Sequence, residues 1–364
     1  MEKFEGLNVS SKFGICGLPL RVDSYKTCSF GCRYCFANGR KIMEFEKNLQ
    51  VANIDSIERR LDRIFNKHDY KDTSFLDKLI ANRITWHFGG MSDPFQPCEE
   101  KYGITRQIID IGNKYNITML ISTKSDTIYG ANINPNHHAL QISVTNISDR
   151  KDIEPNVPSI ERRIKFFKDL KKAGFRVGIR IQPFIPNISS LDIVKAFEGA
   201  DHFIIEGLKV IPQDGEQKDF CFNELGGVNP KLFTQMGLLN MIPQYRLELY
   251  KPLLDYFNEH GISYSVSDND LRRYGNNRCC CGDKLVAKSS GFDVTALIHD
   301  CKHWTLQTVL DKSQEYGRCV AKDLFTSNRT EGCETVHDFY KMRFKRKSSP
   351  LSPKFQYTPQ QSLF

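Results

Sequence analysis

The chain has 364 residues, 40% hydrophobic and 26% charged, a balance that excludes a wholly disordered chain and allows two or three small domains or one large α/β domain with extensions. Lys and Arg number 51 against 43 Asp and Glu, a net charge of +8, which permits a polyanionic partner without demanding one. No apolar run approaches the ~20 residues needed to cross a bilayer, and the opening MEKFEGLNVS lacks the basic-then-apolar pattern of a secretory signal; the expected compartment is the cytoplasm, with no membrane partner.

Residues 1–17 read as an irregular lead-in. Leu18–Tyr25 is a candidate first strand that runs into a cysteine cluster. Ile54–Asn66 has apolar residues at helical spacing, Ile54, Ile57, Leu61, Ile64 and Phe65. Arg83–Phe88 is a short β-rich run ending in Gly89-Gly90, and Tyr102–Tyr115 is helical in pattern. Ile117–Ser122 and His138–Val144 read as strands. Pro158-Ser159 opens a helix through Ala173 that stops at Gly174. Phe175–Ile181 is the next strand and breaks at Pro183; Leu191–Phe197 reads as a helix, His202–Ile205 and Ile262–Val266 as strands.

Strands alternating with helices imply βα units and a parallel sheet. About six units fit between residues 18 and 266, fewer than the eight of a complete barrel. The expected fold is therefore an α/β partial barrel, (βα)6, with its site at the strand C-termini. Two regions break the alternation. Gln213–Pro243 is a turn-rich insertion, and residues 267–340 form a Cys-rich C-terminal region in which periodicity fades. The tail, 341–364, begins with six basic and no acidic residues in Lys341–Lys354 and is expected to be flexible.

Of 12 cysteines, Cys28, Cys32 and Cys35 stand in CSFGCRYC, a C-x3-C-x2-C spacing. In a reducing compartment such clusters bind metal or do chemistry more often than they form disulfides. Three thiolates on one short loop can hold three corners of a cubane iron–sulfur cluster. Ordinary electron-transfer clusters use four cysteines, so the missing fourth leaves one iron open to a substrate or cofactor. Gly31 lets the backbone wrap closely. The alternatives are a zinc knuckle, for which the usual downstream ligand pair is missing, or cysteines buried by chance.

The motif, with Tyr34 and Phe36 flanking Cys35, resembles the signature of radical S-adenosylmethionine (SAM) enzymes. A narrower resemblance, to the spore-photoproduct-lyase-like branch, rests on Gly89-Gly90-Met91-Ser92-Asp93-Pro94-Phe95-Gln96-Pro97 with Glu99 and Thr105-Arg106. Thr123-Lys124-Ser125, Gln141–Thr145, Glu154-Pro155 with Ser159 and Arg162-Arg163, and Ala173–Pro186 also fit. It covers roughly residues 18–210. The resemblance implies a partial barrel, a 4Fe-4S cluster on Cys28, Cys32 and Cys35, and SAM chelated at the open iron. It further implies reductive cleavage of SAM to a 5′-deoxyadenosyl radical that takes hydrogen from a substrate, with an electron donor of flavodoxin or ferredoxin type.

Each matched residue also has its own physical reading. Gly89 and Gly90 at a strand end let backbone carbonyls approach the SAM amino group, or simply make a tight turn. Lys124 at a strand C-terminus suits a point contact with the SAM carboxylate, or is solvated. Ser143 could hydrogen-bond SAM, or be a satisfied strand hydroxyl. Arg180 faces either the barrel interior, where it would neutralise SAM or a phosphate, or the outer helices. Asp93 and Glu99 are expected to tie the Pro-rich loop to Arg106.

The lyase family carries a hydrogen-donating cysteine after its second strand, and the matching position here is Gly90, which puts that repair route in doubt. Cys98 is the displaced candidate donor, against a buried or incidental thiol. Downstream, Cys279, Cys280 and Cys281, with Cys301, Cys319 and Cys333, could hold a second iron–sulfur cluster or zinc, or be reactive or buried thiols. The first functional expectation is a radical reaction on a nucleobase or nucleotide, with nucleic acid or nucleotide as partner. The alternatives are radical modification of a peptide or small metabolite, and a non-catalytic iron–sulfur protein that binds nucleic acid.

Overall fold

A computed structural model of the chain describes residues 1–10, 17–37, 49–69, 74–236, 238–268, 270–277, 279–282, 285, 305, 308, 333–335 and 338. Its strands and helices, in order, begin with β1 (Glu2–Phe4), β2 (Leu7–Val9), β3 (Leu20–Val22), β4 (Gln50–Ala52), α1 (Ile54–Phe65), α2 (Phe75–Ala81) and β5 (Trp86–Phe88). There follow α3 (Cys98–Tyr102), α4 (Ile104–Lys114), β6 (Met119–Thr123), β7 (Ala139–Ser143), α5 (Ile160–Lys172) and β8 (Arg176–Phe184). The rest are α6 (Asp192–Ala196), β9 (His202–Gly207), β10 (Lys209–Val210), α7 (Gly215–Asp219), β11 (Phe233–Met236), β12 (Leu238–Met241), α8 (Pro243–Glu259) and β13 (Tyr264–Val266).

The main sheet has eight strands in the order β13-β9-β8-β7-β6-β5-β3-β2. All neighbours are parallel except β2, which pairs antiparallel with β3 at one edge. The expected series of parallel strands is thus present. The lead-in is not irregular, however: β2 extends the main sheet, and β1 pairs parallel with β4 in a separate ribbon. The insertion after β9 folds around a three-stranded sheet of order β10-β12-β11.

Local chemistry sets the helix ends. Asn53 caps α1 by accepting from Ser56 N at 3.2 Å, and α1 buries Ile57, Leu61 and Ile64 on one face. Ser159 caps α5, whose chain leaves through Gly174 at φ +85°. The helix predicted over Tyr102–Tyr115 is two helices, because Gly103 at φ +61° closes α3 and opens α4. β8 runs through Pro183 to Phe184, and its register with β9 shifts between Ile181 and Phe184, where a missing N–H does no harm to the ladder. The β6-to-β7 connection, residues 124–138, contains no helix.

Helices cover the outer face of the sheet. Trp86, Phe88 and Ile121 pack there against α1 and α4. Ile142, Val177, Ile179, Phe203 and Ile205 pack against α5 and α8. The opposite face is largely polar, with Leu18, Leu120 and Ala139 at its lower end against Cys281 and Leu285. It is concave: Arg180 on β8 lies 3.3 Å from His87 on β5, although three strand spacings of ~4.8 Å separate those strands along the sheet.

Candidate functional site

The loop after β3 carries Cys28, Cys32 and Cys35 as free thiols. Side chains from three different connections hold its backbone. Ser29 N donates to Gln96 Oε1 at 2.7 Å, and Gln96 Nε2 donates to the Thr27 carbonyl at 2.9 Å. Asn156 Nδ2 donates to the Ser29 carbonyl at 2.9 Å, and Gln217 Nε2 to the Tyr34 carbonyl at 2.8 Å. Gly31, at φ +72°, makes the tight reversal between the first two cysteines. Phe30 and Tyr34 seat the loop in an apolar cluster with Ile153, Leu208 and Phe220, so the loop is fixed from several sides.

A buried charge network lies beside it. The Glu154 carboxylate accepts from Tyr34 Oη, from Lys124 Nζ at 2.7 Å and from Thr145 Oγ1 at 2.9 Å, with Arg163 Nη2 3.6 Å away. Burial opposes ionisation of Glu154, but Lys124, Arg163 and these hydrogen bonds outweigh it and bring its pKa down to about 2. The Cys28 thiol is pushed up by burial and by Asp93, and Cys32 up to about 12 by burial and by Glu154. A bound metal reverses that preference by coordinating the thiolate.

The donor set fits an iron–sulfur cubane. Three soft sulfur donors stand on one loop, held in place by other parts of the chain. Among the described residues no three Cys, His or carboxylate groups converge as ligands of a single ion, whereas a cubane takes its cysteines at separate corners.

The other sequence-predicted residues fall in different places. Gly89 ends β5 at φ +85°, where a Cβ would collide with the Ser122 carbonyl oxygen. Gly90 beside it is exposed, and a Cβ there would meet only the Arg21 side chain. Lys124 follows β6 and is engaged with Glu154. Ser143 ends β7, and its carbonyl accepts from Arg163 Nη1 at 3.0 Å.

Arg180 faces the concave interior, resolving the register left open by the sequence. Asp93 is not tied to Arg106; it accepts from Thr123 Oγ1 and Lys124 N, each at 2.6 Å. Glu99 does hold Arg106, accepting from its backbone N–H at 2.9 Å.

Cys98 opens α3 and packs on the helix-covered side of the sheet with the outer core, and is not brought to the interior. Burial and the Glu99 carboxylate push its thiol up to about 12. Cys279, Cys280 and Cys281 reach the lower end of the concave face, where Cys280 Sγ and Cys281 Sγ are 3.9 Å apart. Gln141 Nε2 donates to the Cys281 carbonyl at 3.2 Å, and Ser265 Oγ to the Cys280 carbonyl at 2.8 Å. Cys333 is half-buried, and Cys301 and Cys319 lie outside the described residues.

The sequence reading misses the interior set His87, Ser122, Gln141 and Gln182, as well as the loop clamps Gln96, Asn156 and Gln217. The interior set had a signal: Gln141 and Ser143, then Arg180 and Gln182, alternate with apolar residues, which marks a polar inward face.

No protein-family model matches the chain. Spore photoproduct lyase, solved with bound AdoMet and dinucleoside spore photoproduct, superposes with a TM-score of 0.51 over 68% of this chain and 76% of that one, at 14% identity. This is the radical SAM fold. The branch resemblance drawn from the motifs therefore holds at the level of architecture. In the radical SAM fold of this chain, the three-cysteine loop lies at the strand C-termini, after the first parallel strand.

Curated relatives share part of it. An uncharacterised protein of Methanocaldococcus jannaschii is 26% identical over 185 residues, 49% of this chain and 65% of that protein. The radical SAM Nalpha-GlyT isomerase of Pseudomonas phage M6 is 22% identical over 270 residues, 66% of this chain and 51% of that protein. The chain thus spans between half and two thirds of the length of these relatives.

Proposed function

We propose that the chain is a radical SAM enzyme that abstracts hydrogen from a nucleobase or nucleotide. The observation that carries this reading is the loop of three free thiols, clamped from three connections at the strand ends of the radical SAM fold. Cys28, Cys32 and Cys35 would hold a 4Fe-4S cluster, which with SAM supplies a one-electron cleavage to a 5′-deoxyadenosyl radical. The chain's own residues supply position and dryness. Gly89 lets backbone approach the cofactor at the end of β5. The ion pair of Lys124 and Glu154 keeps a compensated charge beside Cys32, and the apolar cluster around Phe30 and Tyr34 excludes water. Ser143 sits at the end of β7, on the same rim.

The nucleotide class is supported by the fold neighbour, which binds a dinucleoside, by the +8 net charge and by the basic run in 341–364. The name of the phage relative, an isomerase, is in keeping with a rearrangement of the substrate. The test is anaerobic reconstitution of the full chain with iron and sulfide, reduction, and turnover on deuterated oligonucleotides. Deuterium in the recovered 5′-deoxyadenosine is expected, and its loss in Cys32→Ala. SAM cleavage in Cys32→Ala would overturn the three-cysteine cluster assignment, and cleavage by the unaltered chain with no deuterium transfer from any nucleic acid would overturn the substrate class.

A further inference from the structure

We infer that Arg180 is the anchor for an oxyanion of the substrate, a phosphate or a carboxylate, in the concave interior of the sheet. That this interior receives a substrate rests on the radical reaction proposed above; the charge on its wall does not.

Arg180 and Gln182 stand two residues apart on β8 and point inward. Arg180 Nε donates to Gln182 Oε1 at 2.9 Å, and Nη2 donates to the same oxygen. Nη1 donates to Ser122 Oγ at 2.8 Å and to Gln141 Oε1 at 3.2 Å, and lies 3.3 Å from His87 Nε2. Every partner is neutral. His87 is uncharged too: burial and then the Arg180 charge lower its pKa to about 3, and its Nε2 also lies 3.2 Å from Ser122 Oγ.

Arg180 stands apart from the neighbouring cations. Lys124 and Arg163 share Glu154, Arg21 pairs with Asp23 at 2.6 Å, and Lys209 pairs with Glu206. Among the described residues no carboxylate lies within 4.0 Å of Arg180. A guanidinium is always charged, and Arg180 is half-buried, so part of its hydration is lost without a counterion to replace it. Gln182 Oε1 takes the Nε–Nη2 edge and Nη1 faces Ser122 and Gln141, which fixes the direction of the guanidinium but leaves its charge uncompensated. An oxyanion would be held by that charge and by the outer Nη2 N–H.

Depth separates this role from the cofactor. Arg180 is in register with Ser143, but its guanidinium reaches back to Ser122 and Gln141, each before the last residue of its strand. The cysteine loop and Lys124 lie beyond the strand ends. An anion on Arg180 is therefore set into the interior below the rim where SAM would bind.

The test uses the reconstituted full chain and no turnover. Equilibrium dialysis at constant ionic strength, with inorganic phosphate in one arm and acetate in another, reads anion binding, and SAM dialysis reads the cofactor. At least one anion is expected to bind saturably, and Arg180→Gln to weaken it by about tenfold or more while SAM affinity moves by less than about threefold. Arg180→Lys, which keeps the charge without the fork, should fall between, so a graded series separates lost binding from a misfolded variant. Unchanged anion binding in Arg180→Gln, or no saturable binding of either anion by the unaltered chain, would overturn the inference. A fall in SAM affinity of about tenfold would assign Arg180 to the cofactor carboxylate and overturn it also. None of these outcomes depends on deoxyadenosine formation, so failure here is distinct from failure of the proposed reaction.

Discussion

Two adjacent glycines show how residue identity and local geometry divide the work. Both Gly89 and Gly90 stand out in the sequence, but only Gly89 combines φ +85° with a backbone oxygen, that of Ser122, where a Cβ would sit. A backbone carbonyl in a parallel sheet cannot step aside, whereas the Arg21 side chain facing Gly90 can rotate. Gly89→Ala is expected to cost roughly 1–3 kcal/mol from the left-handed backbone, with the collision added. Gly90→Ala should cost less than about 1 kcal/mol. Urea unfolding of the two variants checks this, and equal losses would show that the β5 end is not constrained as described. The spacing of a Gly-Gly pair advertises a close approach; which glycine makes it depends on the neighbouring strand, a non-local fact that residue order does not carry.

At the scale of elements, the cysteine loop was legible as a ligand set but not as a clamped one. Gln96 belongs to the motif-bearing segment after β5, yet its work is done on residues 27 and 29, far earlier in the chain. Removing its amide leaves the Ser29 N–H and the Thr27 carbonyl without those partners, at roughly 1–3 kcal/mol for each that stays buried. Gln96→Ala is therefore expected to reconstitute with less iron per chain than the parent and to lose it faster to a chelator. Iron content unchanged after gel filtration would mean that the loop organises itself without the clamp.

Helices with a clean apolar stripe and a cap, α1 and α5, were readable almost to the residue. Elsewhere a second signal interfered. Gly103 splits what periodicity reads as one helix, while α8 spreads its apolar side chains around its circumference and carries Pro252 inside, so no stripe announces it.

For the molecule as a whole, the alternation of strands and helices was enough to give the parallel sheet, because each βα unit is a local pattern. The antiparallel edge strand β2 and the placement of residues 279–282 and 285 under the concave face were not readable, since both are defined by partners distant in sequence. The same folding buries two neutral imidazoles, His138 and His202, and half-buries a third, His87, which makes global stability sensitive to acid. His87 is lowered to about 3, and His138 and His202 to about 4, burial being the first cause in each.

His138 isolates the effect best. Its Nδ1 accepts from Met119 N at 3.2 Å and its Nε2 donates to Asn113 Oδ1 at 2.8 Å, so the ring is held as one neutral tautomer. His137 and Arg176 add repulsion to the burial that opposes its protonation. Below pH 6.5 the unfolded chain takes up a proton that the folded chain refuses until about pH 4. Stability contributed by His138 is therefore present above pH 6.5 and is lost as pH falls, by roughly 3 kcal/mol across that window. Asp93 acts in the opposite sense, because burial raises it to about 6 and the folded chain binds its proton first. Total stability against pH mixes the two. The difference between the parent and His138→Asn removes Asp93, which is common to both. That difference is expected to shrink steadily from pH 7 to pH 4 in urea-unfolding curves; a constant difference would mean that His138 titrates normally and is not the buried neutral ring the structure shows.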